Sequence, residues 1–502
     1  MQSRGRCAAR RRETPVSLEF SIGVRLTHFF DFLFLSLLFR SGIEILGAHP
    51  KLYWRDDCLP GTEWVRFSRK PLPADRPWTA EDEVAPLSPW IALPGRDNLG
   101  LGRHWHFWSV TGWVLCGIAY LVTLFATGEW RRLVPTSWSI IPGAWNVFLQ
   151  YATLHLPPST GYNALQQLTY FLLIFGLSPL LILSGMLMSP ALGAHFPRLS
   201  RMLGGRQAAR SVHFLGLVAF IVFFVGHVSL VIAHGFGAGM ANIVLGDESR
   251  SHALAVLIGA CGIAVVIGVN ILATRSSLRR PAVIKRLLEL GIGPLRRLMF
   301  HHWTSRQHHA HTSPYARVNG RAPRNALYAR FMDAGFDDWR LRIDGLVDVP
   351  LCLSLAELHA MPRSTQSTLH VCIQGFTYFA SWSGVRVASL LEQARPQRGA
   401  RFLVFHTLDE RWEHPGHGSY YEVIDLETAR APQVIVAYEM NGVPLPIDHG
   451  APLRLRVEHQ YGYKMAKWVN RIELVEDFRS IGKGQGGWRD DVLNYYPSDA
   501  GI

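Results

Sequence analysis

Five apolar runs crowd the first 275 residues of this chain, at 24–46, 106–127, 168–189, 213–233 and 253–273. A helix crossing a bilayer core needs about 20 residues, and five such runs in one half are hard to bury in any soluble core. The pattern therefore predicts a membrane half. From about residue 275 onward the chain is polar, turn-rich and alternating, and it reads as a soluble half. The whole-chain net charge of +13 hides this division. No nucleic-acid motif accompanies that charge, so it is assigned to the membrane surface, with lipid as the partner. Arg10, Arg11 and Arg12 are separated from the first apolar run by a polar stretch. They read as a basic tail and not as a cleavable signal.

The fourth run, "HFLGLVAFIVFFVGH", is bounded by His213 and His227. Fourteen residues are nearly four helical turns, so the two rings share a face about 21 Å apart along the axis. One axial ligand for each of two stacked haems would suit that geometry; a packed histidine or a proton relay are the other readings. The remaining histidines favour haem. Successive spans alternate in direction, so His28 in "RLTHFFDF" and His106 in "RHWHFWSVTGW" open on opposite sides. Depth then pairs His106 with His213 and His28 with His227. Two imidazoles leave iron no open position, which favours electron transfer. His49, His104, His155 and His234 are the alternates, and His104 is the most serious. Asp31, Arg40 and Glu44 lie in or near the first span, where charge is expensive. Arg40 and Glu44, four apart, are expected to pair with each other, with a haem propionate contact or a quinone site as the alternative.

The six cysteines, Cys7, Cys58, Cys116, Cys261, Cys352 and Cys372, form no CxxC pair and no disulfide-like spacing. "HHWTSRQHHAH", residues 301–311, lacks a carboxylate or cysteine partner and is expected to be a flexible linker rather than a metal site. It follows a basic segment, "TRSSLRRPAVIKRLLELGIGPLRRLMFHHW", expected to be partly helical against anionic headgroups. Beyond it, runs such as "LHVCIQGF", "RFLVFHTL", "PQVIVAYEMNG" and "APLRLRVEH" alternate or are β-branched between turn residues. They predict a mainly β domain with a few short helices. Cys372 ends one such run, and on position alone a buried small apolar residue is the ordinary reading.

Two resemblances sharpen these expectations. "RLTHFF", "SGIEILGAHPKLYW", "YNALQQLTYFLLIFGLSPLLILSGMLMSP" and "GGRQAARSVHFLGLVAFIVFFVGH", covering about 20–250, resemble the bacterial di-haem cytochrome b subunits of the hydrogenase, formate dehydrogenase and thiosulfate reductase type. The resemblance implies two haem b groups and exchange of electrons with the quinone pool. "STLHVCIQGFTYFASWSGV", "AYEMNGVPLPIDHGAPLRLRV" and "YGYKMAKWVNRIELV", within about 313–502, are similar to the sulfite oxidase type of molybdopterin-binding domain, in the branch that includes periplasmic methionine sulfoxide reductase. That resemblance implies Cys372 as the thiolate ligand of molybdenum, a role suited to soft sulfur. It also implies Thr407, His449, Arg454, Met465, Ala466 and Lys467 as cofactor-binding residues, with Asn319 in "YARVNG" a weaker carry-over. Arg454 and Lys467 could neutralise a pterin phosphate. Val371 and Gln374 depart from the acidic residues of close relatives, and His449 stands where the branch has Asn. Both bear on substrate choice. The dimerisation module of true sulfite oxidases is not expected after "GQGGWRDDVLNYYPSDAGI".

The expected order is a basic tail (1–23), an all-α transmembrane four-helix haem bundle (24–250), a fifth membrane helix with a basic linker (251–312), and an α+β, mainly β, molybdopterin domain (313–502). The expected activity is a membrane oxidoreductase passing electrons between quinone, two haems and molybdenum, and reducing a small S-oxide or N-oxide. Sulfite-like oxidation in reverse, or a haem-only cytochrome with a cofactor-free docking domain, are the alternatives. The family topology places the chain in a bacterial inner membrane with the molybdenum domain periplasmic, although basic residues after the fifth span run against the positive-inside rule. Homo-oligomerisation is left open.

Overall fold

The computed structural model describes residues 19–71, 78–157, 161–300 and 303–495. Cys7, Arg10, Arg11, Arg12, His301 and His302 lie outside the described residues. Among the described residues five helices are long and apolar enough to cross a membrane: α1 (Ile22–Ala48), α2 (Leu99–Ala126), α3 (Ala164–Leu187), α4 (Gly205–Ala233) and α5 (His252–Arg279). Each contains a long apolar stretch with few charges, as lipid-facing helices require. In α3 the turn Leu173–Leu177 widens to a π-helix just before Pro179. Proline has no N–H to give the preceding turn, and the Ser178 hydroxyl donates to the Leu173 carbonyl at 2.8 Å instead. A polar-faced helix, α6 (Pro281–Phe300), follows α5.

The contacts divide the chain into two compact units. One holds the chain up to Phe34 with Gly112–Pro179 and Val218–Val269; the other holds Leu35–Thr111, Leu180–Leu217 and the described chain from Asn270 onward. Within the second unit Arg40 and Glu44 do not pair as expected. Arg40 instead donates to Asn270 Oδ1 (2.9 Å), Thr274 Oγ1 (2.7 Å) and the Pro89 (2.6 Å) and Ala92 (3.0 Å) carbonyls. Glu44 accepts from the Asn98 amide at 2.6 Å, at the start of α2, where a carboxylate satisfies an orphan N–H. Each charge finds a better partner from distant chain than its neighbour one turn away.

In this unit β1 (Lys51–Leu52) pairs with β2 (Val65–Arg66) in the segment between α1 and α2. Ten further strands follow: β3 (Arg340–Gly345), β4 (Leu351–Ser354), β5 (Arg363–Val371), β6 (Thr377–Arg386), β7 (Phe402–Thr407), β8 (Tyr421–Asp425), β9 (Ile435–Met440), β10 (Val443–Pro444), β11 (Arg454–Arg456) and β12 (Val469–Val475). They form two five-stranded sheets. One runs β10-β9-β6-β5 with β11 also on β9, and the other β4-β3-β12-β7-β8, with β12 parallel to β3. Alternation decides the faces: in β3, Leu341 and Ile343 are buried while Arg340 and Arg342 are exposed. Those residues join Trp339, Leu403, Phe405 and Val436 in the main core.

Of residues 301–311, expected as a flexible linker, the described part from residue 303 is instead docked, up to the start of the polar domain at Ser313. The Arg306, His309 and Ser313 amides donate to the carbonyls of Ala194 (2.7 Å), Ser367 (3.1 Å) and Phe379 (2.8 Å), and the rings of His309 and His311 lie 4.7 and 4.3 Å from that of Phe379. Backbone pairing and aromatic packing supply the order that composition did not suggest.

Gly384 sits at the register shift between β6 and β9, where an added Cβ would lie 2.0 Å from the Val436 carbonyl oxygen. Gly384→Ala should therefore destabilise the β domain by about 1–3 kcal/mol, measured as an earlier thermal transition in tryptophan fluorescence while the haem absorption is retained.

Candidate cofactor sites

The β5–β6 hairpin presents Cys372. Its turn closes with Gly375 N–H to Cys372 C=O at 3.1 Å and Cys372 N–H to Phe376 C=O at 3.0 Å, and Gly375 takes the positive φ of +133° that glycine tolerates. The Cys372 side chain is buried at the wall of a cleft, with Asn319 Nδ2 at 3.4 Å from its sulfur. Burial pushes the thiol up; the Gln374 amide, Arg489, Asn319 and Arg206 pull the other way. His449, Arg454, Met465 and Lys467 line the same cleft. Arg454 donates to the His449 carbonyl at 2.9 Å, and Lys467 Nζ to the carbonyls of Asn319 and Asp448, both at 2.9 Å. Burial, then Arg454 and Lys467, push His449 down to about 3, so its ring is neutral at ordinary pH.

Two residues of the expected set lie elsewhere. Thr407 lines a second cavity that shares Tyr420 with the cleft; its hydroxyl donates to the Tyr420 carbonyl (2.7 Å) and accepts from the Asp409 amide (3.3 Å). Ala466 is buried, its carbonyl accepting from Leu455 N–H at 2.8 Å. The cleft wall also contains Arg317, Asp409, Arg411 and Arg489, which the motifs did not mark. Arg489 is held by Glu81 across 408 residues of chain, a separation no local pattern could reveal.

The cleft suits an anionic, sulfur-ligated cofactor. Buried polar atoms in its wall lack protein partners, namely Asn319 Oδ1, Arg454 Nε and both Nε and Nη2 of Arg411. Buried donors left unpaired cost free energy unless a ligand takes them up. A thiol beside two cationic side chains supplies the soft metal ligand and the phosphate partners that such a group needs.

The histidines fall into two pairs, one in each unit. The rings of His28 and His227 stand 6.4 Å apart and those of His106 and His213 6.3 Å apart. A metal ion bound at about 2 Å by one nitrogen of each ring requires centroids at roughly this spacing. In three of the four rings Nδ1 has a polar neighbour. His227 Nδ1 meets Tyr170 Oη at 3.3 Å, His106 Nδ1 meets Ser41 Oγ at 3.2 Å, and His213 Nδ1 meets Ser184 Oγ and the Leu181 carbonyl, both at 3.1 Å. Such contacts orient metal-ligating imidazoles. The alternates are differently placed. His104 uses Nδ1 on the Gly100 carbonyl (2.7 Å) and Nε2 on Glu289 (3.2 Å). His49 faces Glu83, His234 bonds the Leu230 carbonyl and Tyr151, and His155 is exposed beside Thr153.

Apolar helices carrying paired histidines are thus continued by a β domain with a buried thiol at a polar cleft. Residues 19–244 match the family model of the prokaryotic cytochrome b561, and residues 329–480 that of the oxidoreductase molybdopterin binding domain. The chain thus joins a cytochrome b561-type membrane region to an oxidoreductase molybdopterin-binding domain, which implies haem b and a molybdenum cofactor. Curated relatives include a provisionally named protein-methionine-sulfoxide reductase subunit YedZ1 of Azospira oryzae, 29% identical over 36% of this chain and 65% of that protein. The protein-methionine-sulfoxide reductase catalytic subunit MsrP of Ralstonia nicotianae is 30% identical over 28% and 44%, and a nitrate reductase [NADPH] of Fusarium oxysporum 31% over 32% and 19%. The chain spans less than two thirds of each of these relatives.

Beneath the Cys372 turn, Glu83 is buried with Lys51 (2.7 Å), His49 (3.5 Å) and Arg317. Burial would raise this carboxyl, but His49, Arg317 and Lys51 outweigh it and hold it at about 2 instead of 4.5. A depressed carboxyl stabilises the fold above its unfolded value and loses that contribution as pH falls through the folded one. The melting temperature of the wild type should fall between pH 4.5 and 2. In Glu83→Gln that dependence should flatten, and the variant should be about 3–5 kcal/mol less stable at neutral pH.

Proposed function

We propose that this chain takes electrons from membrane quinol, carries them over two b haems and uses a molybdopterin centre to reduce a small S-oxide or N-oxide. The balance is simple: quinol gives two electrons and two protons, and the oxide leaves as its reduced parent plus water. Molybdenum in such a cofactor supplies two-electron oxygen-atom removal, and each haem supplies one-electron transfer. In this reading His28 with His227 and His106 with His213 are the axial ligands, and Cys372 is the molybdenum ligand. Arg454 and Lys467 hold the cofactor's anionic end, with Asn319, His449 and Met465 around it; Thr407 and Ala466 act from behind the wall.

One observation carries this reading. At the start of α4, Arg206 Nη1 (3.0 Å) and Gln207 Nε2 (2.8 Å) both donate to the Gly375 carbonyl in the turn that bears Cys372, and His213 follows on the same helix less than two turns later. An electron leaving the His106–His213 pair therefore has a short route of helix and hydrogen bonds to the cysteine turn. The proposed location is a bacterial inner membrane with the β domain on the periplasmic face, since five spans from an inside N-terminus put that domain outside. A reporter fused at Ile502 and active only in the cytoplasm would refute that orientation.

Metal and haem analysis of detergent-purified protein tests the rest. The expected wild-type result is two haems and one molybdenum per chain. Cys372→Ala should lose molybdenum and reductase activity while keeping both haems. His213→Ala should lose one haem, keep molybdenum, and no longer show haem reoxidation by methionine sulfoxide. A wild type with haem and no molybdenum, after expression with ample cofactor supply, would end the enzyme reading.

A further inference from the structure

Five cations line the cleft, Arg317, Arg411, Arg454, Lys467 and Arg489, against two wall carboxylates, Asp409 and Asp448. The shortfall of negative charge is met from outside the β domain, by the turn Ala80–Glu83 between α1 and α2. Glu81 Oε1 accepts from Arg489 Nη2 at 3.0 Å and stands 3.9 Å from Arg411 Nη2. Glu83 pairs with Arg317, and Asp82 with Arg321 at 3.0 Å. The turn is pinned beside Asn319, since the Ala80 amide donates to the Val318 carbonyl at 2.9 Å. Arg411, buried in the cleft wall, keeps Nε and Nη2 without hydrogen-bond partners. At 3.9 Å Glu81 is too far to occupy those donors and near enough to offset their charge.

We propose that Glu81 and Glu83 are a counter-charge built into the molybdenum cleft, so that it accepts neutral oxygen-bearing substrates and excludes oxyanions such as sulfate and nitrate. This rests on the S-oxide or N-oxide reading and narrows its substrate class. With Arg454 and Lys467 committed to the cofactor, each remaining arginine faces a carboxylate. An oxyanion entering the cleft would lose its hydration without meeting an uncompensated positive charge. A neutral S-oxide needs only a donor for its dipolar oxygen, and Arg411 has donors to spare. Glu81 is thus a positioning residue acting through Arg411 and Arg489.

The test is sulfate binding to the cofactor-loaded, full-length protein, followed by calorimetry. Glu81→Gln should bind sulfate roughly tenfold or more tightly than the wild type, and Glu81→Asp should return to wild-type exclusion. A wild type that binds sulfate as tightly as Glu81→Gln overturns the proposal, as does a failure of Glu81→Asp to restore exclusion, because a merely structural role would not depend on the carboxylate. Should Glu81→Gln not assemble, judged by haem absorption, the wild type alone is titrated with sulfate and with uncharged dimethyl sulfoxide, and sulfate binding as tight as the sulfoxide's overturns the proposal. The measurement needs no turnover. A wild type that excludes sulfate yet reduces no sulfoxide or N-oxide would reject the substrate reading and leave the counter-charge standing.

Discussion

The Gly375 carbonyl is the point on which the second unit turns. It accepts from Arg206 and Gln207 at once, and Gln207 also reaches Thr377 Oγ1 at 3.0 Å, so the first turn of α4 is fastened to both ends of the Cys372 hairpin turn. A side chain at Gly375 would press on Arg210 Cζ at 3.2 Å and His49 Cβ at 3.3 Å. Arg210 in turn donates to the His49 and Lys51 carbonyls, both at 2.6 Å. Burying guanidinium groups is costly unless their donors are met. Here carbonyls from the segment after α1 and from the cysteine turn meet them, which fixes helix, segment and hairpin together.

Much of this was legible in the sequence, for physical reasons. Membrane helices announce themselves by length and apolarity, and the alternation of their direction assigns a depth to each histidine; His106 and His213, like His28 and His227, are neighbours where that argument put them. Asn319, His449, Arg454, Met465 and Lys467 share the Cys372 cleft because short strands and tight turns hold motif residues close to one another. Sequence spacing could not reveal charge pairing over long separations. Arg40 and Glu44 look like a helical pair, yet each is drawn off by loops and helices elsewhere in the chain. The linker histidines look like a solvated run, yet His309 and His311 pack on Phe379. Thr407 carries a motif position, but its hydroxyl is spent on the Tyr420 carbonyl.

The buried cations fall into two kinds, and the difference bears on function. Arg206 and Arg210 are satisfied by neutral carbonyls, so their hydrogen bonds are filled while their charge remains. Arg317 and Arg489 instead face carboxylates, Glu83 and Glu81, which offset part of their charge. Arg489 and Arg206, one of each kind, both oppose the burial that raises the Cys372 thiol. A metal-binding sulfur is favoured by nearby cations of either kind, since the thiolate is the ligand. One chain provides both because the segment between α1 and α2 contributes to each: its carbonyls at His49 and Lys51 hold the charged arginine of α4, and its carboxylates at Glu81 and Glu83 offset those of the β domain. The segment between α1 and α2 is therefore tied to the wall of the Cys372 cleft through Arg317 and Arg489.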